Sequence, residues 1–522
     1  MPPRDDPDDM PLVFETARAS TPAAPQRTDV ACFIGHVGRV PAPLPPQVAA
    51  DLRAAGWIDG PWRRPEEQLR ALENLPVVVE SWEAFDALFD WRARPLSAGG
   101  SDTCATYLGA AVRRFFAQGG RRAIVVRTGD PWPYLEEPGI RAARRQERIR
   151  GLLPNAGGAL PPFDPTDPRT WHGLQHLYGL GEASLVCLPD LADACADDLP
   201  PADTTRPLVP VSEGFVECSA GETPPEPDIA LRRQRAPRSG ADGLGDWAEA
   251  IGTARGFIAR HRRDAILVAG VPLLADLAAS HDPLRYLQSG GVLAVDGEEA
   301  TRASSAFVQL ASPWLATRES IDLPQLVEPP DGLLAGSIAA GALARGTFRS
   351  IAGTLLPAVV DTEPRASWGL APDAPWARFA SRVCLVARQP DGWALQSDVT
   401  TSPDRAWRGG GVARMLASLV RAARTTGETE LFGANGPALW ARVRRHLEAL
   451  LTDYWREGGL GGASPAEAFD VRCDRSTMTQ SDLDAGRLLA RITVLPAAAI
   501  ERITVVLALS AAGPSASVRE VA

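Results

Sequence analysis

YLGAAVRRFFAQGGRRAIVVR, residues 107–127, decides the fold class. From Tyr107-Leu108 to Phe115-Phe116 the apolar residues fall at helical spacing, and Gly119-Gly120 stops the helix. Ala123-Ile124-Val125-Val126 then gives the unbroken apolar run that a parallel strand buried on both faces requires. The same phrase recurs on either side. Upstream, VACFIGHVGRV at 30–40 reads as a strand running into glycines. Val77-Val78-Val79 is a second strand that passes through Ser81, an N-cap, into a short helix with Trp82, Phe85, Leu88 and Phe89 on one face. Downstream, SLVCL at 184–188, a helix over 247–261 and a strand over 265–269 continue the alternation, which predicts an α/β sheet.

The last third reads as a separate α+β unit. A strand is expected over 382–387 and a helix over 412–423. After Asn435, with Pro437 in the first turn, a longer helix places Leu439, Val443, Leu447, Leu450, Leu451 and Tyr454 on one face. Arg442, Arg444, Arg445, Glu448 and Asp453 occupy the other, and Gly458-Gly459 ends it. Strands over 468–473 and 487–494 follow, then ITVVLAL at 503–509. So apolar a strand near a chain end must pair with a sheet edge, its own or a neighbour's. Residues 1–28 are rich in proline and charge, with one apolar cluster, Leu12-Val13-Phe14, and read as an arm without a core. The expected division is an arm over 1–28, an outer α/β unit over 29–370, a C-terminal α+β unit over 371–510 and a polar tail over 511–522. Proline-rich insertions interrupt the outer unit near 128–170, a surface excursion with one helix over 141–152, and near 219–246.

Composition excludes several chemistries. All 54 basic residues are arginine, against 64 acidic ones, for a net charge of −10. Without lysine there is no Walker phosphate loop, no Schiff-base pyridoxal enzyme and no kinase. Arginine stays protonated and cannot replace lysine as base or nucleophile. The acidic balance makes nucleic acid a poor partner. Cysteines 32, 104, 187, 195, 218, 384 and 473 are odd in number and form no CxxC pair, so they read as buried free thiols without zinc spacing. MPPRDDPDDM is acidic where a signal peptide is basic then apolar, so assembly in the cytoplasm is expected. The run at 333–344, closed by Arg345, falls short of the roughly 20 apolar residues a membrane span needs, so no membrane insertion is expected. His172 and His176 have the i, i+4 spacing of metal ligands but lack a third ligand, and no metal is assigned. Gly409-Gly410-Gly411 resembles a phosphate cradle by its glycines alone. No nucleophile elbow or carboxylate pair stands out, so no catalytic residue or cofactor is assigned. An α/β enzyme of unknown chemistry remains the reading of another class.

Several segments, in their order, carry a resemblance. They are FIGHVGRV (33–40), ESWEAFDALF (80–89), residues 107–127, LVCLPDL (185–191), SPWL (312–315), EPPDGLLAGSIAAGALARGTFRSIAG (328–353), the run from Leu431 to Asp474, and DLDAGRLLARITVLP (482–496). Together they resemble the tail sheath family of contractile phage tails and extracellular contractile injection systems. Phe115, Phe116, Gly119, Gly120 and Arg127 match that family's phrase of aromatic pair, double glycine and valine strand ending in arginine. Asp331 stands where the family has serine, and Ala499-Ile500-Glu501-Arg502 where it reads Pro-Ala-Glu-Phe.

The resemblance implies a multidomain sheath fold with extended terminal arms. It implies a non-enzymatic subunit that stacks as six-fold rings into a helical sleeve around an inner tube and contracts without consuming nucleotide. Partners are further copies of the chain, the inner tube, and baseplate and cap proteins. Neighbours are linked through the arm and the last strand, with Leu12, Val13, Phe14, Ile503, Val505 and Leu507 as candidates. The C-terminal unit faces the tube, with Arg414, Arg421, Arg424, Arg442, Arg444 and Arg445 as candidate contacts. Solvated or intersubunit helix faces are the equal alternative for these arginines. A minor paralogue forming a single ring near the baseplate or cap is the other sheath reading.

Overall fold

In the computed structural model, which describes residues 27–154, 164–199, 229–276, 281–299, 302–365, 374–430, 435–497, 503–510 and 513–520, strand β1 (Val30–Gly35) lies inside an eight-stranded sheet. All its residues are buried, and they divide by parity. Ala31 and Phe33 enter one apolar core, whereas Val30, Cys32 and Ile34 enter the other. A strand covered on both faces has no polar side to show, which is why VACFIG is a continuous apolar run. The other strands are β2 (Pro76–Val79), β3 (Arg122–Arg127), β4 (Leu185–Cys187), β5 (Ile266–Gly270), β6 (Val308–Ser312), β7 (Cys384–Gln389) and β8 (Gly392–Leu395). In space they run β8-β7-β6-β5-β4-β1-β3-β2. The inner strands are parallel, and antiparallel β2 and β8 close the edges. Helices α1 (Tyr107–Ala117), α2 (Ile140–Leu152), α3 (Ala241–His261) and α4 (Asp331–Arg345) cover the sheet. The first and last pack on the Phe33 face, the middle two on the Cys32 face.

The motif at 107–127 now has a physical account. The Thr106 hydroxyl caps α1 by accepting from the Gly109 amide at 3.2 Å. At the other end Gly119 takes φ +105°, and a Cβ on Gly120 would lie 2.3 Å from the Phe115 ring. The ring therefore occupies the space of a side chain, and the glycine pair turns the chain beneath it. A Cβ on Gly332 would meet the Ala111 carbonyl oxygen at 2.1 Å, and one on Gly336 the Phe115 carbonyl oxygen at 2.8 Å. These glycines let α4 approach α1 backbone to backbone. The small-residue run from 333 to 339 is thus spent on internal packing, while Leu343 and Ala344 are exposed, and no helix among the described residues is long and apolar enough to cross a membrane.

Three readings of the sequence change. Residues 128–170 are not simply a surface excursion, because α2 turns Arg141, Arg145 and Arg148 inward. Arg141 binds Asp193 at 3.0 Å, Arg145 binds Asp197 at 2.6 Å and Asp246 at 3.0 Å, and Arg148 binds Glu136 at 2.5 Å. Next, β7 and β8 carry the large sheet to Leu395, so residues 384–395 join it although the sequence placed them in the C-terminal unit. Finally, the polar tail contains a strand, described below. The six described cysteines, 32, 104, 187, 195, 384 and 473, are buried and free, while Cys218 lies outside the described residues.

Arginine also serves as the buried cation. Arg94 meets Asp193 at 2.7 Å, with both side chains almost wholly enclosed, and Arg114 meets Glu328 at 2.6 Å. Arg262 binds Asp264 at 3.0 Å and also donates to the Leu180 and Ala183 carbonyls. The planar, many-donor guanidinium suits such sites better than a lysine ammonium.

One buried carboxylate carries a measurable consequence. Asp331, at the start of α4, accepts from the Gly270 amide at 3.0 Å at the end of β5. Burial pushes it up to about 7 despite that bond, and Asp190, likewise raised to about 7 by burial, adds repulsion. An unfolded aspartate ionises at about 3.9, so between about pH 4 and 7 Asp331 keeps in the folded chain a proton that it has lost in the unfolded one. The contribution of Asp331 to stability therefore falls as pH rises through that window and levels off above it. Asp331→Asn, whose amide oxygen can still accept from Gly270, is expected to raise stability at pH 8 by about 2–4 kcal/mol. It should also flatten part of the slope in urea unfolding followed from pH 4 to 8. A variant no more stable than the parent at pH 8 would refute a costly carboxylate there.

Candidate assembly interface

The C-terminal part rests on two helices, α5 (Gly410–Glu430) and α6 (Pro437–Arg456). They are joined by a four-stranded antiparallel sheet of β9 (Phe469–Arg472), β10 (Leu488–Val494), β11 (Ile503–Ser510) and β12 (Gly513–Glu520), in that spatial order. Along β10, Leu488, Ala490, Ile492 and Val494 are buried in a core shared with the helices, while Arg491 is exposed. That period of two marks a sheet covered on one face. The α6 stripe falls as expected at Leu439, Val443, Leu447, Leu451 and Tyr454, with Trp440 buried and Leu450 only half-buried.

The candidate linkage residues of the last strand fall in register with the buried positions of β10. Ile503 lies opposite Val494, Val505 opposite Ile492, and Leu507 opposite Ala490. On the other side they face Glu520, Val518 and Ala516 of β12. Within the single chain the terminal strand thus pairs with its own sheet, and β12 forms the open edge beside α5. Leu12, Val13 and Phe14 lie outside the described residues.

Helix α5 joins the two halves of the chain. Its Ala413 and Ala417 belong to the core under the large sheet, whereas Met415, Leu416, Leu419, Val420 and Ala423 belong to the C-terminal core. The glycine run before it is not a phosphate cradle. A Cβ on Gly410 would lie 2.1 Å from the Asp398 carboxylate and one on Gly411 2.2 Å from the Phe348 carbonyl oxygen. These glycines admit close packing of the helix start.

Of the α5 candidates for tube contact, Arg414 and Arg421 are enclosed within the chain and Arg424 is half-buried. Arg414 is enclosed and grips Asp398 with two hydrogen bonds, 2.7 and 2.8 Å. It donates further to Gln309 Oε1 and the Arg349 carbonyl, both at 3.1 Å. Asp398 also accepts from the Ile351 amide and from Gln309 Nε2, each at 3.0 Å. Burial alone would raise the Asp398 carboxyl, but Arg414 and these bonds overcome it and hold it below its usual value. Arg421, also buried, donates to the carbonyl oxygens of Arg27 and Asp264, and Arg424 donates to the Asp264 carboxylate. Burial first, then neighbouring Arg262, pulls Arg421 down to about 9, still protonated at neutral pH. On α6, by contrast, Arg442, Arg444 and Arg445 are exposed, with Arg444 3.6 Å from Glu448.

These partners were invisible in the sequence. Asp264, Gln309 and Asp398 are ordinary polar residues there, and nothing local marks them as ends of one seam. The seam is also where the arm enters the described fold, with the Thr28 hydroxyl 2.8 Å from that of Thr347.

The histidine pair has a packing role. Residues 173–178 form a 3-10 helix, and the His176 ring lies 6.1 Å from Trp57 and 6.2 Å from Trp171. Burial, then Arg64, lowers its pKa to about 3, so it stays neutral. No cluster of three or more metal-ligating side chains occurs among the described residues.

No protein-family model matches the chain, and no curated protein matches its sequence. Among solved structures it is similar to a chain of the anti-feeding prophage baseplate in its contracted state, with a TM-score of 0.54 and 17% identity over 94% of this chain and 95% of that one. A chain of the six-fold symmetrised baseplate gives 0.51 and 18%, over 90% and 89%. A chain of the contracted helical sheath of the same particle gives 0.48 and 17%, over 90% of each. The chain thus shares its fold, a doubly covered α/β sheet joined to an α+β unit, along nearly its whole length with chains of the anti-feeding prophage baseplate.

Proposed function

We propose that the chain is a structural sheath subunit that stacks as six-fold rings, polymerises around an inner tube and contracts to drive that tube through a target envelope. The observation that supports it most is the fold shared with a contracted baseplate chain over 94% of this chain and 95% of that one. The ordered sheath-like phrases add to it. On this reading the chain carries out no catalysis and needs no cofactor. Its partners are further copies of itself, the tube, and baseplate and cap proteins, without nucleic acid or membrane insertion. Assembly takes place in the cytoplasm.

Neighbouring subunits are linked through the arm, with Leu12, Val13 and Phe14, and through the last strands, with Ile503, Val505 and Leu507. What favours this is that β11 and β12 form a terminal hairpin joined to the rest of its sheet by the β10 ladder. An equivalent hairpin from a second copy can replace it with the same hydrogen bonds, the low-cost route of strand exchange. Exposed Arg442, Arg444 and Arg445, with half-buried Arg424, are the remaining tube-facing candidates. Exposed ion pairs of about 0–1 kcal/mol each suit a contact that must break in every ring on contraction.

A second reading, a minor sheath paralogue forming one ring, draws support from the two likenesses above a TM-score of 0.5, both to baseplate chains. Negative-stain electron microscopy of the chain expressed alone and with its tube protein separates the readings. Striated hollow rods are expected for the main subunit and single rings for the paralogue. Compact, featureless particles in both preparations would dismiss both.

A further inference from the structure

Between the end of α3 and helix α5 lies a cavity of about 360 Å³. Its wall is largely apolar, with Phe307 on one side and Leu416, Ala417 and Val420 on the other. Arg263, whose guanidinium donates to the Ala259 carbonyl at 2.7 Å, also lines it, and Arg260 is exposed on the same helix end. The α5 side of this wall is nearly enclosed, so the apolar surface open to an occupant lies chiefly at half-buried Phe307 and Trp407.

The described chain starts next to it. The Arg27 carbonyl oxygen accepts from Arg421, the residue that follows Val420 in the cavity wall. Residues 1–26 precede that point. They hold one apolar cluster, Leu12-Val13-Phe14, shortly after Asp5, Asp6, Asp8 and Asp9. An acidic run followed by an apolar triplet complements an apolar hollow with arginines at its edge. Reach is not limiting, since the stretch from Phe14 to Arg27 spans up to ~45 Å when extended.

We propose that this cavity seats the Leu12-Val13-Phe14 segment of the same chain in the free subunit, with the aspartates against Arg260 and Arg263. A tethered segment acts at an effective concentration of about millimolar, well above that of a second copy in dilute solution, which favours self-docking over capture by a neighbour. Docked in this way, the arm is kept from other contacts until subunits meet in quantity. The inference stands whether or not the arm later links neighbours.

The test uses the full-length chain with Phe14 replaced by the photoreactive benzoylphenylalanine, irradiated as a dilute mixture of ¹⁵N-labelled and unlabelled protein. Crosslinks are expected within one isotopic species. They should fall on the tryptic peptides MLASLVR (415–421) and ASSAFVQLASPWLATR (303–318) that carry the cavity wall. Leu12→Asp with Val13→Asp should cut this yield at least tenfold. Phe307→Arg, a change at a half-exposed wall residue, should do the same. Crosslinks to the peptides of β10, crosslinks chiefly between differently labelled chains, or a yield unmoved by the arm substitutions would overturn the proposal.

Discussion

Arg414→Met is expected to lower the stability of the chain by about 3–5 kcal/mol, the usual result of removing one member of a buried ion pair. The loss comes mainly from what is left behind. Asp398 would remain enclosed, with only the Ile351 amide and Gln309 to satisfy a carboxylate that now has two gripping bonds from a guanidinium. The double variant Arg414→Met, Asp398→Asn removes the stranded charge and should recover a large part of the loss. Acid sensitivity gives a second readout. The pair's contribution is complete above the unfolded carboxyl value of ~3.9 and fades as pH falls through the lower folded value, so the single variant should lose the corresponding acid limb. Urea unfolding followed by tryptophan fluorescence measures both. A loss below about 1 kcal/mol, the range of an exposed pair, would show that the seam is not what fastens α5.

Ending the chain after Leu495 should abolish sleeves while leaving a soluble, folded subunit. The cut removes β11 and β12 but spares β9, β10 and both C-terminal helices, whose core contains Leu439, Val443, Leu447 and Ile492. Far-ultraviolet circular dichroism should therefore retain its helical signal, and the protein should elute as a single subunit. Deleting residues 1–28 should give the same absence of rods, by removing the arm. Sleeves of normal length from either truncation, seen by negative-stain microscopy beside the full chain, would refute strand exchange as the link between neighbours.

Much of the large-sheet fold was legible because burial on two faces leaves an unmistakable pattern. VACFIG and AIVV are apolar at every position, and Gly119-Gly120 records both a turn and the seat of the Phe115 ring. Strand β12 was not legible. GPSASVRE has little strand propensity of its own, and its conformation follows from pairing with β11, a tertiary effect. The arginines misled for a related reason. At helical spacing, Arg414, Arg421, Arg141 and Arg145 look like a solvated face, because charged residues are seldom fully enclosed unless paired. Their acidic partners lie as far away as Asp264 is from Arg421, and any acid in the chain is equally eligible by sequence. Arg442, Arg444 and Arg445 look the same on paper, yet the structure leaves them exposed.

Helix α5 has a mechanical meaning. Because Ala413 and Ala417 belong to one core and Leu416 and Leu419 to the other, neither core can melt without taking part of its neighbour's packing with it. A pull on the last strands would pass through the β10 ladder and the helices packed on it to α5, whose alanines sit in the core of the large sheet. Among the described residues, packed contacts therefore run from the β10 ladder through α5 into the core of the large sheet.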